Sequence, residues 1–160
     1  MRQLGETKVR DYMTQQAIVV DNTARLTSAI RLMEEERLSV VPVVDEQGDL
    51  VGILSNRDLI AMMHEIQADL GALHYVNEKT REFLIHLLMD QGDNTLVADV
   101  MTSPVKTVSA ETNLVVAAQL LNQNGFHHLP VVEGEGQPIG ILSASDFVQA
   151  IAEKGALMAG

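Results

Sequence analysis

VVPVVDEQGDLVGILSNRD, residues 40–58, returns as HLPVVEGEGQPIGILSASD at residues 128–146. Each copy holds two short apolar strands joined by an acidic, Gly-containing turn (45–49 and 133–137). Two such runs bounded by Gly and acids predict a hairpin. Their near-continuous apolar character predicts burial on both faces. Pro42 and Pro130 lack an N–H and are expected at a sheet edge or a strand entry. A helix should follow each hairpin, starting at Asn56 or Ala144. It would carry Leu59, Ile60 and Met63 in one copy, and Phe147, Val148 and Ile151 in the other.

Working outward, residues 9–63 lie over 97–151 at a constant offset of 97 − 9 = 88, without a gap. Seventeen of those 55 positions are identical, among them Asp11, Met13 and Thr14, which match Asp99, Met101 and Thr102. Units this small rarely bury a generous core alone, so the two are expected to pack as a pseudo-twofold pair. Such a pair creates two equivalent clefts, natural places for small ligands. Ahead of each hairpin stand a β-branched run (17–20 and 105–108) and an amphipathic helix. Leu26, Ala29, Ile30 and Met33, or Leu114, Ala117, Ala118 and Leu121, mark its buried stripe. Asn22 or Thr23, and Thr112, are the expected N-caps. Each unit is β-α-β-β-α, an α+β fold. The organisation is repeat 1 with an N-terminal arm (1–63), a helical insert (64–96), and repeat 2 with a C-terminal helix (97–160). The insert, with Ile66, Leu70, Leu73, Phe83, Leu84, Leu87 and Leu88 at helical spacing, reads either as a tether folded on the core or as an oligomer or partner contact.

Hydrophobic residues make up 46% of the 160 but aromatics only 3%, so the core must be aliphatic. The formal charge of −11 argues against a nucleic-acid or anionic-membrane surface, which draws on many basic contacts. No cysteine is present, which removes disulfides, thiolate chemistry and Cys-ligated zinc. The polar N-terminus and the lack of an 18-residue apolar run lead to the expectation of a soluble, cytoplasmic protein.

The junctions GILSNRD (52–58) and GILSASD (140–146) carry the sharpest chemistry. Ser and Asp at i and i+3 can cap a helix, Ser accepting from a first-turn N–H and Asp favouring the dipole. The same placement can serve a ligand, with a helix N-terminus and Ser for phosphate and Asp for a ribose diol. Spacing leaves both readings open. His64, His74 and His86 are too far apart for an i, i+4 metal pair, and adjacent His127 and His128 point to opposite faces of a strand. No metal site is expected. No G-x-S-x-G, Walker P-loop or G-x-G-x-x-G occurs, and no activated nucleophile stands out, so the chain is not read as an enzyme.

The double pattern D-x-M-T, β-branched strand, amphipathic helix, h-P-V-V, Gly turn and G-I-L-S-x-x-D resembles a tandem pair of CBS domains, a Bateman module. It covers 110 of the 160 residues. With little else attached, the chain resembles stand-alone CBS-pair proteins of the acetoin-utilisation type. The resemblance implies a regulatory adenine-nucleotide or S-adenosylmethionine ligand, no required cofactor, and energy sensing through a homodimer or a separate protein partner. It places Ser55 and Asp58, and Ser143 and Asp146, on phosphate and ribose. It places Thr14, Ile18 and Leu38, and Thr102, Lys106 and Phe126, around the base, with each cleft drawing on both repeats. The two residues before h-P are often basic phosphate contacts. Here they are His127-His128 in repeat 2 but Ser39-Val40 in repeat 1, so the Asp146 cleft is expected to suit a polyphosphate better. The His pair also reads as exposed strand-edge residues. Arg57 reads as a phosphate contact or as a partner for surface acids. The alternative for the whole chain is a ligand-free dimerisation scaffold in which both Ser–Asp pairs are only caps.

Overall fold

The computed structural model describes residues 6–15, 18–67 and 95–156. Its elements, in chain order, are β1 (Thr14–Gln15), β2 (Val20–Asp21), α1 (Leu26–Glu35), β3 (Val40–Val44), β4 (Leu50–Ser55), α2 (Asn56–Gln67), α3 (Val97–Val100), β5 (Val108–Ser109), α4 (Leu114–Asn124), β6 (His128–Glu133), β7 (Gln137–Ser143) and α5 (Ala144–Ala156). The fold is α+β with two sheets, ordered β2-β3-β4 and β1-β7-β6-β5. Both hairpins form as antiparallel pairs, β3 with β4 and β6 with β7. Residues 68–94 of the insert, which hold His74, His86 and most of its apolar stripe, lie outside the described residues. Repeat 1's last helix runs through His64 to Gln67, past the expected boundary at 63.

The compact units do not follow the repeats. One comprises Met1–Ile18 with Val105–Gly160, the other Val19–Pro104. Each D-x-M-T segment therefore belongs to the unit built on the other repeat. Val97, fully buried, packs with Val20, Leu26, Ala29, Ile30, Met33, Val41, Val43 and Leu54. Val9, equally buried, packs with Val108, Leu114, Ala117, Leu121, Leu129, Val131 and Leu142. Burying one such Val stabilises by about 1.5–3 kcal/mol. Backbone bonds fix the segments: Val9 N–H donates to the Thr112 carbonyl (2.9 Å) and Leu114 N–H to that of Thr7 (2.8 Å), while Val97 N–H donates to the Ala24 carbonyl (2.9 Å) and Leu26 N–H to that of Thr95 (2.9 Å). The motif aspartates close their own short turns. Asp11 Oδ2 accepts from Lys8 N–H at 3.0 Å, and Asp99 Oδ2 from Leu96 N–H at 2.9 Å.

Several local expectations change. Pro42 and Pro130 lie within the middle strand of each hairpin sheet, not at an edge. The ladder tolerates them because Pro42 faces Ile53, whose N–H and C=O are given to Thr102. On its other side β2 reaches only Val43 and Val44. The β-branched runs shorten accordingly to the two-residue β2 and β5, with Ile18 and Val19 exposed. The N-cap positions are Arg25 and Asn113, and Asn113 Oδ1 accepts from Val115 N–H at 2.8 Å. On the closing helices Leu59 and Met62, and Phe147 and Ala150, face the core. Ile60, Val148 and Ile151, expected inside, are exposed (Val148 67%, Ile151 59%). A rotation of about 100° per residue puts them beyond the i, i+3 pairs that meet the sheet.

α1 and α4 end alike, through a residue in the left-handed region: Arg37 (φ 55°) and Gly125 (φ 65°). Gly adopts this conformation without steric cost, whereas an L side chain does not. Arg37→Gly should therefore stabilise the protein by about 0.5–1 kcal/mol, after allowance for the flexibility Gly adds to the unfolded chain. A urea midpoint for Arg37→Gly at or below that of the parent would mean that contacts of the Arg side chain outweigh the strain.

Candidate functional site

Each hairpin feeds its last residue into a helix, and the Ser–Asp pair ties the joint. In the Val19–Pro104 unit, Ser55 N–H and Oγ–H both donate to Asp58 Oδ2 (2.7 and 2.5 Å), and Asp58 N–H returns to Ser55 Oγ at 3.4 Å. In the other unit Ser143 N–H and Oγ–H donate to Asp146 Oδ2 at 2.6 and 2.8 Å. The aspartate half of the capping box, its carboxylate reaching back to the Ser N–H, is thus present in both, and the return bond to the Ser hydroxyl is formed at Ser55. A further bond anchors each joint to the chain before the hairpin: Asn56 N–H donates to the Ser39 carbonyl and Ala144 N–H to that of His127, both at 3.0 Å.

These bonds gather one set of candidates in each unit. Beside Asp146, His128 faces Ser143 across the hairpin, His127 holds the helix start through its carbonyl, and Thr14 lies opposite Ile141. Phe126 stands where α4 turns off through Gly125, its N–H donating to the Leu121 carbonyl (3.0 Å), and its ring is exposed. Ile18 and Lys106 belong to the same unit and are also exposed. On Asp58 sits Thr102, whose Oγ1 donates to Asp58 Oδ1 at 2.6 Å; Leu38, in the same unit, is set by its N–H bond to the Met33 carbonyl (2.7 Å) and packs on the core. Arg57 points from the first turn of α2 toward solvent.

The two carboxylates differ. Asp58 uses both oxygens within the protein. Asp146 commits Oδ2 to Ser143, and no donor among the described residues meets Oδ1. Ser145, missed in the sequence, joins the cluster through a 2.7 Å contact between its Oγ and that of Ser143. The signal was its place one residue before Asp146 in the helix's first turn. A carboxylate oxygen with acceptor capacity, hydroxyls at a helix N-terminus and the His128 imidazole offer acceptors and donors that suit a diol joined to an anion. Among the described residues no group of three His, Asp or Glu could hold a metal ion, and no helix is long and apolar enough to cross a membrane.

His128 is half-buried, and desolvation holds its pKa below 6.5. His127 pushes the same way, and the Asp146 charge opposes both. Below pH 6.5 the unfolded chain binds the proton more readily than the folded one, so stability rises with pH there. The contribution of neutral His128 is complete above 6.5 and is lost as pH falls through its lowered folded-state value. His128→Asn should flatten that acid-side slope, measured as urea midpoints from about pH 5 to about pH 7.5. An unchanged slope would place the proton uptake on other groups.

A profile of the CBS domain matches residues 9–65 and 97–153. The chain is 33% identical over 152 residues to the CBS domain-containing protein CBSX2, chloroplastic, of Arabidopsis thaliana, covering 91% of this chain and 64% of that protein. It thus spans less than two thirds of that relative's length. The crystal structure of CBSX2 in complex with AMP aligns with a TM-score of 0.69 at 31% identity, over 92% of this chain and 98% of that one. A Vibrio cholerae protein assigned to acetoin utilization (AcuB) aligns at 0.72 with 27% identity, over 97% and 98% of the two chains. Inosine-5'-monophosphate dehydrogenase of Mycobacterium tuberculosis is 34% identical over 130 residues, 81% of this chain but only 19% of the enzyme.

Proposed function

The chain belongs to the CBS-domain family as a tandem pair, and on that premise we propose that it is a non-catalytic regulatory module binding an adenosine-type nucleotide, chiefly beside Asp146. The observation that carries this reading is the Asp146 carboxylate, with one oxygen tied to Ser143 and the other met by no donor among the described residues. It sits at the head of α5 next to His127 and His128. The ribose diol would lie on Asp146, the phosphates toward Ser143 and the His pair, and the base against Thr14, Ile18 and Phe126. Lys106, exposed in the same unit, would supply charge from the rim, and Arg57 would do so at the Asp58 site of the other unit. The AMP complex of CBSX2 supports the ligand class. S-adenosylmethionine shares the adenosine part and is the natural comparison.

A bound phosphate would favour protonated His128, so binding would take up a proton and affinity would fall as pH rises through the His range. The signal would pass through conformation to a homodimer or a separate protein, and only if the ligand binds one arrangement better than another. The exposed Val148 and Ile151 on α5 favour such an apolar contact.

A second reading has its own observation. Both Ser–Asp pairs are joined by intramolecular bonds that a helix cap alone accounts for, so the chain can also be a ligand-free dimerisation scaffold. Calorimetric titration with AMP, ADP, ATP and S-adenosylmethionine separates the two. Saturable binding lost chiefly in Asp146→Ala supports the sensor; no binding by any of the four to folded, ligand-stripped protein supports the scaffold.

A further inference from the structure

Both oxygens of Asp58 are taken. Oδ2 receives two bonds from Ser55, and Oδ1 receives the hydroxyl of Thr102 at 2.6 Å. The backbone that carries this hydroxyl is fixed on β4. Thr102 N–H donates to the Ile53 carbonyl at 2.9 Å, and Ile53 N–H returns to the Thr102 carbonyl at 3.1 Å. The next residue adds a tie, Ser103 Oγ donating to the Val51 carbonyl at 2.8 Å. Gly52 lets the segment come this close: a Cβ there would lie 2.9 Å from the Thr102 carbonyl oxygen.

We propose that Thr102 is a built-in occupant of the Asp58 carboxylate, holding the oxygen a ribose diol would use and keeping this unit closed to nucleotide until it lets go. The inference rests on the nucleotide reading above and deepens it by saying which of the two units fills first. A carboxylate oxygen has two acceptor positions. With Oδ2 committed to Ser55 and one position of Oδ1 to Thr102, the diol cannot place both hydroxyls on Asp58. The matched Thr14 pairs with Ile141 as Thr102 pairs with Ile53, but its hydroxyl makes no bond to Asp146 and Gln15 stands where Ser103 is tied to a strand carbonyl. Ligand at the Asp58 site must therefore first exchange an intramolecular bond to a charged acceptor, whereas ligand at the Asp146 site meets no such donor among the described residues.

The test is calorimetric titration of the full chain with AMP, comparing the parent with Thr102→Val, Thr102→Ser and the double variant Thr102→Val/Asp58→Ala. Valine keeps the shape and removes the donor. Circular dichroism first establishes that each variant is folded. Thr102→Val should bind AMP at the Asp58 site about tenfold more tightly than the parent does, the share of one hydrogen bond to a charged group. Thr102→Ser should behave as the parent, and the double variant should lose the gain. Binding by the parent that Thr102→Val leaves unchanged overturns the occupant role alone. Weaker binding in Thr102→Val makes Thr102 a direct ligand contact and also overturns it. No AMP binding by any of the four proteins removes the nucleotide reading and this inference together.

Discussion

Gly140→Ala is expected to destabilise the protein by about 3 kcal/mol, the upper end of the cost of overpacking a closed site. A Cβ at Gly140 would lie 2.5 Å from the Thr14 carbonyl oxygen and 3.2 Å from Met13 Sδ. The nearer atom is backbone, and β1 is pinned at both ends of its short span. Thr14 and Gln15 pair with Ile141 and Gly140, and Val9 is anchored upstream in the core. Relief requires the whole segment to move, which loosens the packing around Val9. Gly52→Ala should cost less, about 2 kcal/mol, because its nearest obstacle at 2.6 Å is the flexible Met101 side chain, although the Thr102 carbonyl oxygen at 2.9 Å remains. Thermal unfolding reads both, with about 2–4 °C per kcal/mol in a chain of this size. A Gly140→Ala midpoint within about 2 °C of the parent would show that β1 can lift away without disturbing the core.

Asp146→Ala should weaken AMP binding by about ten- to a hundredfold, the share of a hydrogen bond to a charged acceptor. It should also cost about 1 kcal/mol of stability through the lost cap, whose two bonds come from Ser143. The two effects separate because Asp58→Ala removes the matching cap from the other unit. There Asp58 is already engaged by Thr102, so its loss should lower stability by a similar amount and affinity much less. Equal loss of affinity in both variants would defeat the asymmetry. A stability loss without any change in binding would leave Asp146 a cap alone.

Much of this was legible because it is local. The hairpins follow from two apolar runs around a Gly-containing turn, and α2 and α5 begin at Asn56 and Ala144 where the Ser-x-x-Asp spacing places them. The Ser–Asp bonds span three residues and form in both copies, although the hydroxyl expected to accept from the first turn does so only at Ser55. Misreadings arose where a neighbouring strand or helix decides. Pro42 is tolerated mid-strand because Ile53 turns its polar groups to Thr102, a partner far away in sequence. Val148 and Ile151 look like a buried stripe until the sheet takes Phe147 and Ala150 instead.

The sequence by itself determined the repeat, the α+β unit, the two capped junctions and the His pair that sets one apart from the other. Each depends on residues within one turn or one hairpin, or on identity between copies. Only the tertiary structure decided that the two D-x-M-T segments change places. Val9 and Val97, Asp11 and Asp99, Met13 and Met101, and Thr14 and Thr102 are the same residues facing nearly the same apolar sockets. Burial energy is nearly equal for docking at home or on the other repeat, so no residue pattern records the choice. That choice puts Thr14 in the unit of Asp146 and Thr102 in that of Asp58, and the junctions become unequal because the Thr102 hydroxyl meets Asp58 while no donor among the described residues meets Asp146 Oδ1.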